Sequence, residues 1–390
     1  MMSAYQALFA AKGSLAFSVT AFIGRLPIAM TAIGIITMLA LLYDDYALAG
    51  AVAASFTLSN ALLSPQIARQ VDRLGQSKVL PVAAIVSVSG LAILLTASYL
   101  NASYYWLFVG AVVAGCMPSL SAMVRARWTA LYRGQEQLST AFAFESVIDE
   151  VTFIAGPPIS VGFCVMLFPL AGPLLAGIFL LVGVFLFVAQ KSTEPVPIQV
   201  ATTQQRSVIW QSNIQVLALL LLCMGVIVGT IDVASVAFAK TQDQAGYASL
   251  VLSTYAVSSC VAGLVFGTLH LQTPLAKLLV YAGIATAVSC IPLLFVSSVL
   301  GLILCVLWAG CFFAPSMIIA MSLVEQRVAS ERLTEALTWL LSGLSIGVAA
   351  GAAGAGQVID SYGVANAFWV AIAAASVILL VVTLGYRSVR

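Results

Sequence analysis

Long apolar stretches separated by short polar breaks run along almost all of this 390-residue chain. A helix rises about 1.5 Å per residue, so roughly 20 apolar residues cross the hydrocarbon core of a bilayer. Twelve stretches meet that requirement, at 16–42, 47–68, 79–100, 104–124, 138–166, 173–190, 213–238, 246–269, 278–299, 300–324, 333–356 and 364–386. The first is too long for a cleaved signal peptide, lacks a small-residue cleavage site and is followed by eleven more. The pattern predicts an all-α membrane protein of twelve transmembrane helices.

The only sizeable polar stretch away from the ends is KSTEPVPIQVATTQQRSVIWQS at 191–212. It divides the chain into 1–190, a linker 191–212, and 213–390, with six spans on either side. Gln199 to Gln211 have loop composition, with a short interfacial segment expected at Val208-Ile209-Trp210. The halves resemble each other. Ala114-Gly115-Cys116 followed by Pro118-Ser119 matches Ala309-Gly310-Cys311 followed by Pro315-Ser316. Leu138-Ser139-Thr140-Ala141 matches Leu333-Thr334-Glu335-Ala336, and Ala49-Gly50 matches Ala245-Gly246. All these offsets are about half the chain, which points to duplication: two six-helix bundles related by a pseudo-two-fold repeat.

Composition agrees with that class. Hydrophobic residues make up 62% and charged residues 8%, against about 25% charged in a soluble domain. Cytoplasmic loops of membrane proteins are enriched in Lys and Arg. With the first end cytoplasmic, the inside loops hold Lys12, Arg69, Arg73, Lys78, Arg125, Arg127, Arg133, Lys191, Arg206, Lys277, Arg327, Arg332, Arg387 and Arg390, fourteen of the sixteen. Lys240 falls outside and Arg25 within the first span, while Asp44, Asp45, Asp243 and Asp360 occupy outside loops. Both termini are expected in the cytoplasm, in a multi-pass protein of a bacterial cytoplasmic (inner) membrane. The net charge of +2 is then a topology signal, and no nucleic-acid partner is implied. The seven cysteines fall within spans as small packing residues, and the lone His270 makes a histidine-based metal site implausible.

Charges within the spans carry the candidate chemistry. A central Asp or Arg costs roughly 2.5–3.5 kcal/mol on insertion scales, so such residues face a cavity or one another. Arg25 in the first span and Glu145 and Asp149 in the fifth lie at similar depth. Glu145 and Asp149, four apart, share a helix face, and Glu150 is rotated by about 100° from Asp149. Three acids against one arginine leave negative charge in excess, and a low dielectric favours a proton on at least one of them. They would titrate as a coupled set. Their duplicate positions are Leu340, Leu344 and Ser345, with Leu221 near the counterpart of Arg25. The fold therefore does not require the charges. Proton coupling or substrate binding is expected of Asp149, Glu145, Arg25 and Glu150; the competing reading is an ion-pair cluster that orients helices. Asp232, in Gly229-Thr230-Ile231-Asp232 of the seventh span, either binds substrate or relays protons, or is merely hydrated. Tyr255, Asn60, Trp308 and Trp339 are candidate cavity residues for which helix packing is the commoner fate.

Two motifs carry a family resemblance. Ala68-Arg69-Gln70-Val71-Asp72-Arg73-Leu74-Gly75-Gln76-Ser77-Lys78 resembles the G-x-x-x-D-R-x-G-R-[RK] motif between the second and third helices of the major facilitator superfamily. Asp72, Arg73 and Gly75 match, Ala68 replaces the first glycine, and Gln76-Ser77 replaces the basic pair. The resemblance implies that Asp72 lies at the start of the eleventh helix, near Leu333, and holds a gate. The alternative is that Asp72 and Arg73 are loop charges that fix topology. Gly156-Pro157-Pro158-Ile159-Ser160-Val161-Gly162 is similar to the fifth-helix G-P-x-x-G-G motif of the superfamily's antiporters, with Gly156, Pro157 and Gly162 in register. Proline removes a helix bond and glycine allows close approach. The second half lacks this proline, and its Gly343, Gly347 and Gly351 are expected on the sliding surface between halves. The arginine common before Gly115 in drug/proton antiporters is absent, so either coupling differs or Arg25 supplies the cation.

No phosphate-binding loop, zincin or nucleophile-elbow pattern occurs in the sequence, and the loops are too short for a catalytic domain. The resemblance implies a monomeric transporter, not an enzyme, without a cofactor, drawing on a proton gradient and rocking around a central cavity. Its partners would be a small-molecule substrate, protons and the lipid bilayer. Export of a drug, sugar or metabolite is the favoured expectation. Import of a sugar, siderophore or other nutrient is the first rival, and a non-transporting membrane sensor the second.

Overall fold

The structure is a computed structural model that describes residues 2–196, 207–242, 248–269 and 273–384. His270, Asp243, Arg206, Arg387 and Arg390 lie outside the described residues, as does most of the expected Gln199–Gln211 loop. The described residues form helices and no strand. A short helix α1 (Met2–Leu8) precedes α2 (Ser14–Tyr43), α3 (Tyr46–Leu74), α4 (Gln76–Tyr99), α5 (Tyr104–Ala114), α6 (Leu120–Tyr132), α7 (Gln137–Met166) and α8 (Ala171–Val188). The second half holds α9 (Ser212–Thr241), α10 (Ala248–Phe266), α11 (Leu275–Ser289), α12 (Val299–Arg327), α13 (Leu333–Tyr362) and α14 (Phe368–Leu384). Among the described residues, ten helices are long and apolar enough to span a membrane. The shorter apolar helices Tyr104–Ala114 and Leu250–Phe266 complete the expected twelve. Val208–Trp210 forms one 3-10 turn, the expected short segment.

Two six-helix bundles result. Lipid tails attract side chains as well as other helices do, so bundles in a bilayer cohere through close backbone approach at small residues. In the first bundle α2 crosses α8 where Gly24 meets Gly183, and a Cβ on Gly183 would sit 2.3 Å from the Gly24 Cα. In the second bundle α9 lies along α13, and a Cβ on Gly347 would sit 2.0 Å from the Leu222 carbonyl oxygen. A Cβ on Gly225 would come within 2.2 Å of the Leu344 oxygen, and one on Gly351 within 2.2 Å of the Val226 oxygen. This corrects the sequence expectation. The glycines at 347 and 351 close a seam inside the second bundle, because their face meets α9 and not the other half. Gly347→Val should therefore abolish a stable fold, read as loss of the monodisperse peak after detergent extraction; recovery at parental yield would contradict the seam.

The fourth span also differs. Its expected 104–124 helix stops at Ala114 and restarts at Leu120. Pro118 cannot donate a backbone hydrogen bond, and the residue before a proline disfavours the helical region. Asn60 Nδ2 donates to the carbonyls of Gly115 at 3.1 Å and Met117 at 3.0 Å, and Ser87 Oγ donates to that of Ala114 at 2.6 Å. The break is thus satisfied from α3 and α4, which gives Asn60 a structural place. The span then runs on to Tyr132. Arg125 and Arg127 are fully buried in α6 and are not loop cations. The duplicate proline, Pro315, sits inside a continuous α12; nothing in the structure explains the difference.

The second-to-third connection is a single residue. Gly75, at φ 93°, is the cap of both α3 and α4, a positive-φ conformation that suits glycine. Asp72 and Arg73 therefore belong to the last turn of α3 and are not loop residues. Large apolar side chains such as Val82, Leu300 and Leu304 are exposed on the outer surface, as contact with lipid requires.

Candidate functional site

The intramembrane charges collect where α2, α6 and α7 meet. Arg25, buried among Gly24 and Pro27 of α2, reaches Glu145 with one guanidinium nitrogen and Asp149 with the other, the second at 3.2 Å. Glu145 also accepts from the Trp128 indole at 2.6 Å. Asp149 accepts from Arg125 at 2.8 Å and from the Ser121 hydroxyl at 2.7 and 2.8 Å. The same hydroxyl accepts from Arg125, which also donates to the Ser121 carbonyl at 3.2 Å. The helical period explains the set: Ser121, Arg125 and Trp128 share one face of α6, and Glu145 and Asp149 one face of α7.

Sequence reasoning brought Arg25, Glu145 and Asp149 together and missed Arg125, Ser121 and Trp128. It placed Arg125 in a loop, so its charge count was wrong. Two arginines face two carboxylates, and this cluster is formally neutral. Arg125 lies ten residues beyond Gly115, past the break, and brings a second arginine to the cluster. The signal lay in Trp128 and Tyr132, large aromatics that continue the apolar run beyond the arginines.

Glu150, next to Asp149 in α7, forms no ion pair with either arginine of the cluster. It points from α7 into the other half and accepts from the Ser259 hydroxyl of α10 at 2.9 Å. Glu150 lies in the field of Asp149, its chain neighbour, and of Asp232 on α9, and Tyr255 lies in the field of Glu150 and Asp232. Neither acid forms an ion pair among the described residues. Beside them, Met224, Ile227, Tyr255, Thr286, Ser289, Cys290, Ala309 and Phe313 line a narrow cleft of about 10 Å³ in the second bundle, room for a single water. Trp308 is half-exposed on the periphery, against Phe312, and Trp339 donates to Ser207 at 3.3 Å. Neither faces this cleft.

The helix-kink motif packs the first bundle. A Cβ on Gly156 would sit 2.7 Å from the Ala29 Cβ of α2, and Ser160 donates to the Met30 carbonyl at 2.9 Å. Pro157 lies inside α7, and Gly162 has open space around it, so it marks no close approach.

The two halves meet on the face that carries the start of α2 and the end of α14, here the terminal face. Asp72 accepts from the backbone N–H of Thr334 at 3.2 Å and of Glu335 at 2.8 Å. These are unpaired donors in the first turn of α13, where a carboxylate also meets the favourable end of the helix dipole. This is the position that the motif implied near Leu333. Arg133 donates to Glu325 at 3.0 Å and to Ser330, and Thr140 donates to the Gly267 carbonyl at 2.8 Å. These contacts join the two halves at the terminal face. Arg73 is exposed on the last turn of α3, where a cation suits the helix C-terminus. Removing such a capping carboxylate costs about 0.5–2 kcal/mol. Asp72→Ala should therefore raise the population open at this face about two- to thirtyfold. The shift is measurable by electron–electron resonance between spin labels at Gln70→Cys and Gln326→Cys, exposed sites on α3 and α12, with the native cysteines replaced. An unchanged distance distribution would contradict the capping role.

Comparison with known proteins agrees with this architecture. No curated protein sequence matches. The chain is similar in structure to a bacterial homologue of the iron transporter ferroportin in an outward-facing state, with TM-score 0.79, 14% identity, and 97% of this chain and 100% of that one covered. It is similar to the human organic anion transporter MFSD10 (TETRAN), with TM-score 0.70, 13% identity, and coverage of 95% and 100%. A structure of the E. coli fucose:proton symporter FucP matches with TM-score 0.66, 13% identity, and coverage of 94% and 98%. At such identities the likeness establishes the fold alone. The family model of the Major Facilitator Superfamily matches residues 15–328, and with that match over most of its length the chain belongs to the Major Facilitator Superfamily.

Proposed function

We propose that this chain is a proton-coupled secondary transporter that exports a small organic compound by alternating access, in a bacterial cytoplasmic membrane with the terminal face toward the cytoplasm. The observation that carries the reading is the unpaired acid pair. Glu150 and Asp232 come from opposite bundles, Glu150 lies in the field of both Asp149 and Asp232, and neither Glu150 nor Asp232 has an ion-pair partner among the described residues. Like charges in a poorly solvated site cannot both stay ionised cheaply. A proton relieves that cost, and so does a cargo that brings a compensating charge or a hydrogen-bond donor.

The division of labour follows from charge balance. Asp149 and Glu145 are held by Arg25 and Arg125, which keep their protons, so they act as fixed anions that join α2, α6 and α7. Glu150 and Asp232 are the proton carriers. Closure of the terminal face by Asp72 on α13 leaves the acid pair to be served from the opposite face, where protonation would displace cargo. Rocking then breaks the Asp72 contact and exposes the pair to the other side. The orientation rests on Lys12, Arg69, Lys78, Arg133, Lys277 and Arg327, which stay at the terminal face after Arg125 and Arg127 are withdrawn from the loop count.

The test is a susceptibility panel of toxic compounds in an efflux-deficient bacterium that expresses the intact protein, against the same strain without it. Raised tolerance to at least one compound is expected. Increased sensitivity would show import instead.

A further inference from the structure

The segment before the first span contributes no charge to the site, yet it is bound to both bundles. Leu8 is wholly buried, and its carbonyl accepts from the Tyr132 hydroxyl at 2.8 Å. Phe9 packs edge-on against Trp128 and Phe144, with ring centroids 6.0 and 5.3 Å away. These contacts anchor the segment to α6 and α7 of the first bundle. Tyr5 reaches across: its hydroxyl donates to the Leu264 carbonyl of α10 at 2.9 Å. Burial pushes that phenol up to about 12, so it remains a donor in any physiological buffer. Among the described residues, the end of α10 is also held by Thr140 on the Gly267 carbonyl and by close packing. A Cβ on Gly267 would lie 2.3 Å from the Ala143 Cβ and 2.8 Å from the Tyr5 hydroxyl.

We propose that α1 is a strap of the terminal gate, in which Tyr5 is a positioning residue that holds α10 against α7 and must let go before the terminal face opens. The strap also touches the ion cluster. Trp128, against which Phe9 packs, is the residue whose indole donates to Glu145 at 2.6 Å, and Glu145 pairs with Arg25. A change of arrangement at the cluster therefore moves the aromatic floor on which the strap rests. The two gate contacts are independent: Asp72 joins α3 to α13, while Tyr5 joins the first bundle to α10.

The inference rests on alternating access but on neither the direction of transport nor its proton coupling. Its test uses the same spin-label pair, Gln70→Cys and Gln326→Cys, in the full chain. Tyr5→Phe removes the hydroxyl and keeps the ring, and Leu8→Ala loosens the anchor. A single net hydrogen bond predicts about a two- to tenfold larger open population for Tyr5→Phe, with an unchanged melting temperature, and a shift of the same sign for Leu8→Ala. If neither variant moves the distribution while Asp72→Ala does, the strap is wrong and the Asp72 gate stands. If Leu8→Ala alone moves it, the Tyr5 assignment is overturned. If even Asp72→Ala leaves it unmoved, contacts at this face do not hold the halves together, and the strap fails along with the capping role.

Discussion

Asp149→Asn should cost the folded protein about 3–5 kcal/mol, the usual penalty for removing one partner of a buried ion pair. Asp149 takes donors from Arg25, Arg125 and Ser121. With its charge gone, two buried guanidinium groups face Glu145 alone. That loss is a large part of a typical stability of about 5–15 kcal/mol. The expected result is a lower melting temperature and poor recovery after extraction. The double variant Arg125→Gln with Asp149→Asn restores neutrality and should regain most of the loss, because a balanced polar pair replaces an orphaned cation. Thermal unfolding of the two single variants and the double variant reads the coupling directly. A single variant that melts like the parent, or a double variant no better than Asp149→Asn, would contradict a fixed-anion role.

Most of the architecture was legible because hydropathy is a local property. Twelve apolar runs and a polar linker need no knowledge of which helix touches which. Asp72 was legible through its motif, and Glu145 and Asp149 through a four-residue spacing. Partners were another matter. Arg125 and Arg127 read as loop cations because nothing local shows that Asn60 and Ser87 would satisfy a helix break at Gly115–Ser119 and let the span continue. The glycines at 347 and 351 announced close packing without saying against what; only three dimensions show α9 there. Glu150 came last of the four clustered charges by sequence, since its separation from both arginines is a matter of helix rotation and neighbours. The strap left no trace in the pattern: one tyrosine and one leucine before the first span carry no periodicity.

Glu150→Gln should leave the fold intact and uncouple transport. Glutamine is nearly isosteric and can still accept from Ser259, so no buried charge is orphaned and the melting temperature should stay near the parent's. The functional loss is large. One unit of pH difference is worth about 1.4 kcal/mol per proton, or about a tenfold concentration ratio. Losing one coupled proton should therefore cut accumulation against a gradient about tenfold for every unit of pH difference, while exchange at equal pH survives. Asp149→Asn and Glu150→Gln thus separate by readout, the first in stability and the second in energy coupling. The same logic makes Asp232→Asn the weaker partner experiment, since Glu150 remains to bind a proton when Asp232 is neutral.

The central claim is that protonation of the pair built around Glu150 biases the two halves between their arrangements. The most direct measurement is the distance distribution between labels at Gln70→Cys and Gln326→Cys, taken from mildly acidic to mildly alkaline buffer, in the parent and in Glu150→Gln. A distribution that shifts with pH in the parent and stands still in Glu150→Gln is the predicted result. The same pH response in both proteins would contradict the account.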